Sequence, residues 1–243
     1  MLNDKEYQYV GIDWGKGGWV TTAITQNYVE INKFYSISDL CYYYKNANVV
    51  LIDIPIGLPE SIEESIHRPD VELRQLLKGK ASSVFPVPCR QAVFELDKLK
   101  AKEINIKELG KSISEQTFGI CRCIREVDIF LQNNPEWKNR LMESHPEYCF
   151  SILNNNNPII EKKTKEDGQK IRIQVLKKYY NNIEITLEKI PKGIKLDDAL
   201  DSFSLAIMAK LIDEYGIITV PIMPCYDKKG LKMQIVVSKF EYN

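Results

Sequence analysis

Val49-Val50-Leu51-Ile52-Asp53 is four apolar residues in a row closed by a carboxylate, with Pro55 and Pro59 close behind. An unbroken apolar run of this length suits a strand covered on both faces, and the prolines stop it. Upstream, residues 7–14, 19–25 and 28–35 form three β-rich runs, with Gly15, Gly17 and Gly18 in the first gap and Gln26-Asn27 in the second. That spacing predicts an antiparallel meander. Residues 36–45 read as a short helix leading into the 49–52 strand. A fourth strand reached through such a connection pairs parallel to the first. Asp13, closing the first run in Gly11-Ile12-Asp13, and Asp53 then end neighbouring strands.

From about residue 60 to 140 the chain turns to helices and charges, with one irregular stretch, Ser82-Ser83-Val84-Phe85-Pro86-Val87-Pro88. This is read as a mainly helical insertion after strand four, with the 82–88 stretch an ordered loop folded over the cleft. Its clearest helix covers 114–131, because Ile120, Ile124, Val127 and Leu131 recur on one face. Residues 141–143 suit a fifth strand, and Pro146 a helix start. Asn154–Asn157 is a polar loop, 165–180 a basic amphipathic helix, 197–214 a further helix after Pro191-Lys192-Gly193, and 217–220 a late strand. The expected division is a core from 1–60 and 140–225, an insertion over 61–139 and a C-terminal extension over 226–243.

The chain has 243 residues, 44% of them apolar, enough to bury a sizeable core. Lys plus Arg equals Asp plus Glu at 33 each, so the whole-protein field offers no general attraction for nucleic acid or an acidic membrane. The charge is unevenly spread. Residues 161–195 hold ten Lys/Arg against five Asp/Glu, whereas 196–225 hold one Lys against five Asp/Glu. A solvated helix face and a strip that binds a phosphate backbone both fit this pattern.

The cysteines at 41, 89, 121, 123, 149 and 225 form no Cys-x-x-Cys pair and have no histidine at zinc-finger spacing, so they read as reduced core or semi-core residues. Met1-Leu2-Asn3-Asp4-Lys5-Glu6 has no apolar signal core, and no stretch reaches the roughly 18 apolar residues of a membrane span. The expectation is a cytoplasmic protein with no membrane partner. Protein partners and oligomeric state stay open.

Four aspartates stand out. Asp13 meets a Gly-rich turn, where it can serve a ligand or simply form the turn. Asp53 follows a buried strand, where an ionised carboxylate needs compensation, from a metal ion or from backbone amides of the Pro55–Pro59 turn that it caps. Asp198 and Asp201 are three apart and share a helix face; a first-turn acid also favours the helix dipole, with Asp197 available as N-cap. The other concentrated polar motif is Glu143-Ser144-His145-Pro146-Glu147, in which Glu143 and His145 suit proton transfer or, equally, strand-end and helix-cap bonding. His67, Arg68 and Arg74 offer phosphate contacts or surface ion pairs. Ser83 lacks a Gly-x-Ser-x-Gly elbow, so a serine hydrolase is rejected.

Three strands, a helix and a parallel fourth strand match the opening of an RNase H-like sheet. Gly11-Ile12-Asp13, Leu51-Ile52-Asp53-Ile54-Pro55-Ile56-Gly57-Leu58-Pro59, Ser83-Val84-Phe85-Pro86-Val87-Pro88, Glu143-Ser144-His145-Pro146-Glu147 and Asp198-Ala199-Leu200-Asp201 together resemble the motifs of the domain of unknown function 429 family. The likeness covers most of the chain and implies an α/β fold, an RNase H-like mixed five-stranded sheet flanked by helices, in a predicted nuclease. The Asp198-x-x-Asp201 helix also resembles the last motif of Holliday-junction resolvases, which commonly carry Glu where this chain has Asp53. On that resemblance Asp13, Asp53, Asp198 and Asp201 carry over as ligands of Mg²⁺ or Mn²⁺, the ions that hard oxygen donors suit.

The expected function is therefore metal-dependent phosphodiester hydrolysis on a nucleic-acid substrate, by Asp13, Asp53, Asp198 and Asp201 with Glu143 and His145. Two alternatives stand beside it. One is a non-catalytic module that binds nucleic acid or protein through the insertion. The other is an actin-like nucleotide-binding enzyme, weakened by the lack of a second Gly-rich phosphate loop.

Overall fold

The computed structural model describes residues 7–240. The N-terminal hexapeptide read for a signal core, and residues 241–243 of the expected extension, lie outside the described residues. The chain opens with β1 (Tyr9–Gly15), β2 (Gly18–Ile24), β3 (Val29–Phe34), α1 (Ile37–Tyr43) and β4 (Val49–Ile52). Five helices follow: α2 (Ile62–Ile66), α3 (Pro69–Leu76), α4 (Arg90–Phe94), α5 (Lys98–Leu109) and α6 (Glu115–Asn133). Then come β5 (Leu141–Glu143), α7 (Pro146–Leu153), α8 (Glu166–Lys177), α9 (Ile183–Leu187) and α10 (Leu196–Tyr215), and finally β6 (Ile217–Tyr226) and β7 (Lys232–Ser238).

The chain divides into two compact units, one of residues 1–53, 140–218 and 236–243 and the other of 54–139 and 219–235. The first holds a mixed five-stranded sheet in the order β3-β2-β1-β4-β5. β2 runs antiparallel to β1 and β3, while β4 is parallel to both β1 and β5. This is the α/β, RNase H-like arrangement expected from the meander and the apolar 49–52 run, whose four residues are all buried. α1 starts where Ser36 accepts hydrogen bonds from the amides of Ser38 and Asp39, so a side-chain cap fixes the turn out of β3.

One helix dominates this unit. α10 is buried from Ala199 to Ala209 without interruption, and it has no exposed face there because the helix lies inside the core. Its side chains Leu200, Phe203, Ala206 and Ile207 share a core with Leu51 of β4, Val20 of β2, Phe150 and Leu153 of α7 and Val236 of β7. The approach to β1 is unusually close. Gly11 lies against the carbonyl of Ser202 and the amide of Ala206, and a side chain at position 11 would collide with both. Next to this contact, Thr22 and Ser202 hydroxyls share a 2.8 Å hydrogen bond. The helix begins at Leu196 with Lys195 as the cap residue and no side-chain cap bond, so Asp197 is a first-turn residue rather than the N-cap.

The second unit contains α2 to α6 and most of the β6–β7 hairpin. Ser114 caps α6 by accepting from the Thr117 amide at 3.0 Å. The buried stripe of that helix is Cys121, Ile124, Val127 and Leu131, with Ile120 only half-buried. The unit has a charged centre. Arg90 pairs with Glu60, Asp128 and Asp227, and Asp227 also accepts from the amides of Leu58, Lys229 and Leu231. The 82–88 stretch belongs to this unit and begins in a short 3₁₀ turn, Ala81–Ser83.

Residues 217–226 form a longer strand than the 217–220 run expected, and 232–238, treated as extension, form its partner. Five cysteines are buried, Cys225 is partly exposed, and all six are free thiols. Among the described residues no helix is long and apolar enough to cross a membrane.

Candidate functional site

Three chain segments bring the four aspartates together, and all lie in the first unit. Ile12 pairs with Ile52 in the parallel register of β1 and β4, and the Asp53 amide donates to the Ile12 carbonyl at 2.9 Å. Asp13 and Asp53 therefore sit side by side at the C-terminal ends of adjacent strands. Strand alternation puts Asp13 on the same face as Gly11, the face that α10 covers. Asp198 and Asp201 stand on the first turns of that helix, and the Asp198 carboxylate lies directly over Gly15, where a Cβ would come within 2.5 Å of Oδ2. Glycine at position 15 is what admits this carboxylate to the end of β1.

Asp13 is 5% exposed and Asp201 2% exposed, so these are carboxylates largely withdrawn from water. Burial is the main reason that Asp13 holds its proton well above the usual carboxylate range; repulsion from Asp201 adds to it, Lys163 opposes it, and Asp53 and Asp198 add further. Asp53 is raised by burial and by Glu147, against His145 and Lys163. Asp198 is raised by burial and by Asp197, with Lys163, Lys195 and Lys33 opposing. Burial pushes Asp201 up to about 6, with Glu147 and Asp53 contributing and Lys163 pulling the other way. One ammonium recurs in all four environments.

That ammonium, Lys163 Nζ, donates to Asp201 Oδ2. Burial disfavours its charge, but the attraction of Asp201, Asp13 and Asp53 outweighs burial and holds its pKa above the ordinary lysine value. Behind it lies a second ion pair. Arg172, fully buried on α8, donates through Nη2 to both carboxylate oxygens of Glu147 at 2.8 and 2.9 Å.

His145 is half-buried and close enough to Asp53 to ease its charge. Glu143 is placed elsewhere. It pairs in register with Ile52, which pairs with Ile12, so its side chain shares their face of the sheet, opposite to that of Asp13 and Asp53. The arginines proposed as phosphate contacts are engaged in the second unit: Arg68 is buried and donates to the carbonyls of Ile56 and Gly57, and Arg74 donates to that of Val84.

Sequence reasoning missed Lys163 and Arg172, and took Glu147 only as a helix-start acid. Lys163 is one of many lysines in a basic stretch and nothing local marks it. Arg172 left a faint signal, since it falls on the apolar side of an otherwise amphipathic helix beside Val175 and Leu176.

The donor set of the four aspartates is all oxygen, which suits Mg²⁺ or Mn²⁺ and not zinc. Among the described residues no three His, Cys, Asp or Glu side chains converge as they stand on a point that could hold a metal ion. The Lys163 ammonium already occupies one of the two Asp201 carboxylate oxygens, Oδ2. The chemistry of the ligands fits a divalent cation, and their present arrangement fits an ammonium.

Compared with known proteins, the chain matches one family model over residues 11–224, described as "Protein of unknown function (DUF429)". No curated protein and no solved structure matches it.

Proposed function

The chain belongs to the DUF429 family of proteins of unknown function, and from its site we propose that it is a metal-dependent phosphodiesterase acting on nucleic acid, that is, a nuclease. One observation carries this reading: four aspartates from β1, the end of β4 and α10, two of them buried and two half-buried, gather at one corner with a single lysine as their common counter-charge. Such an excess of buried carboxylate is costly without further positive charge. Two divalent cations, or one, would relieve it.

Mg²⁺ or Mn²⁺ supplies Lewis acidity at phosphorus and lowers the pKa of water when bound. The chain's own groups do the rest. Asp13 on β1 and Asp201 on α10, which act on each other electrostatically, would be the inner residues to hold the ion. Asp53 and Asp198 extend the oxygen set at the strand end and the helix start. His145, which acts electrostatically on Asp53, would hold or pass a proton at the edge of the site. Lys33 and Lys195, which act on Asp198, supply positive charge next to it for a phosphate backbone.

The test is cleavage of single-stranded and duplex DNA, RNA, hybrid and junction substrates with Mn²⁺, by the natural chain and by Asp13→Asn and Asp201→Asn. Turnover should fall at least about a hundredfold in both variants. Cleavage that survives both substitutions refutes the assignment.

The seating of Lys163 on Asp201 favours a second reading, a module that binds nucleic acid or protein without hydrolysing it. Salt-sensitive binding to nucleic acid, with no turnover in Mn²⁺ or Mg²⁺, selects that reading.

A further inference from the structure

Lys163 sits in the stretch between α7 and α8, and its side chain is 39% exposed. A lysine stem has four rotatable carbons, so an ammonium reaching out of a loop is ordinarily mobile. Here the main chain beside it is pinned. Arg172 Nη1 donates to the carbonyl of Glu161 at 3.1 Å and to that of Gly168 at 3.0 Å, while Nη2 holds Glu147 at the start of α7. The guanidinium lies over the ring of Phe150, 5.3 Å from its centroid. On the other side the Lys165 amide donates to the Lys162 carbonyl at 2.9 Å. Gly168 packs so tightly on that carbonyl that any side chain at position 168 would collide with it.

The residues flanking Lys163 are thus tied directly to α8, through Arg172 and the Gly168 contact, and only by way of the Arg172–Glu147 pair to α7. We propose that Arg172, Glu147 and Gly168 form a clamp that seats the Lys163 ammonium on Asp201 as the built-in counter-ion of the site, which a divalent cation must displace in order to bind. The proposal rests on the metal-site reading of the four aspartates. In it, Lys163 sets how tightly the site takes a cation, and Arg172 is a positioning residue that acts through Lys163.

Two features separate this from an incidental surface ion pair. An exposed pair is worth little because both side chains must be ordered and water screens them. Asp201 is 2% exposed, and the buried Arg172 has already ordered the backbone on which Lys163 sits. An ammonium and a divalent ion also answer the same electrostatic demand, so the two compete for Asp201.

The experiment is calorimetric titration of Mn²⁺ into the full chain and into Lys163→Gln, Lys163→Arg and Arg172→Lys, without any nucleic acid. Lys163→Gln should bind Mn²⁺ roughly tenfold or more tightly than the natural chain. Lys163→Arg, which keeps the charge, should bind as weakly as the natural chain. Arg172→Lys loses the two-armed grip on Glu147 and should fall between them; if it does not fold, the two Lys163 variants decide alone. Binding by the natural chain that is unchanged or weaker in Lys163→Gln overturns the clamp and leaves the metal site standing. Absence of Mn²⁺ binding in both the natural chain and Lys163→Gln overturns the clamp together with the metal site.

Discussion

Lys163 donates to Asp201 across 38 positions of sequence, linking the loop before α8 to the first turns of α10. The partner carboxylate nevertheless holds its proton up to about 6, because burial and the neighbouring acids outweigh the ammonium. Asp13, Asp53 and Asp198 are shifted in the same direction. The site therefore favours protonated carboxyls, and on the metal-site reading those protons are what a cation would replace.

For the metal-free chain this fixes a sign. A carboxyl whose folded pKa exceeds its unfolded value binds more protons when folded, so its stabilisation is full below about pH 4 and is lost as pH rises through the folded pKa. For Asp201 the loss is on the order of 3 kcal/mol. Urea unfolding in EDTA between pH 5 and pH 8 should show stability falling with pH, and Asp13→Asn should flatten the fall. A chain that gains stability over this range contradicts the assignment.

With Mn²⁺ present the dependence should reverse. The same carboxylates must give up their protons to bind a cation, so affinity should rise from pH 5 to pH 8, and the thermal upshift on adding Mn²⁺ should be small at pH 5 and large at pH 8. Titration calorimetry at several pH values checks this. An affinity independent of pH would mean that the raised carboxyls are not ligands.

Arg172 and Glu147 test the buried pair behind the site. Arg172→Met removes both hydrogen bonds that the guanidinium donates to the buried Glu147 carboxylate and should cost roughly 3–5 kcal/mol, whereas the double replacement Arg172→Met with Glu147→Met should recover a large part of it. Chemical unfolding of the two single variants and the double variant supplies the cycle. Equal costs that simply add would show that the two side chains do not act as a pair.

In the second unit, Asp227 gathers Arg90 and the amides of Leu58, Lys229 and Leu231. Asp227→Ala strips all of them of an acceptor at once and should destabilise by roughly 3–5 kcal/mol. Limited proteolysis should then cut first in the 227–231 turn. A variant as resistant as the natural chain would refute this.

The thiols give a simple check of the fold. Burial pushes Cys41, Cys123 and Cys149 up to about 12 and Cys121 to about 11, and raises Cys89, so few thiolates exist at neutral pH and little surface is open to attack. Cys225 is the partly exposed one. A maleimide should label it first in the native chain, with the other five following only on denaturation.

The sheet was legible because its signals are local. The apolar 49–52 run, the glycines after Asp13 and the Pro146 helix start each constrain the backbone where they stand. The β6–β7 hairpin was only partly read. Pro221 and Pro224 interrupt what is otherwise an apolar run, and prolines mark a strand end unless the strand lies at an edge. β7 follows the charged Asp227-Lys228-Lys229-Gly230 turn, and its burial is not written in its neighbours. The aspartates were visible as strand-end and helix-start acids, but Glu143 was not distinguishable from them until register put it on the opposite face. Lys163 could not be found at all, since what selects it is a contact with α10 made through folding.

Gly11 carries a consequence beyond allowing β1 and α10 to meet. Their separation is set by main chain against main chain, with no side chain between to repack or compress. A side chain at position 11 would therefore part the main chains that carry Asp13 and Asp201, and draw the two acids away from each other with them.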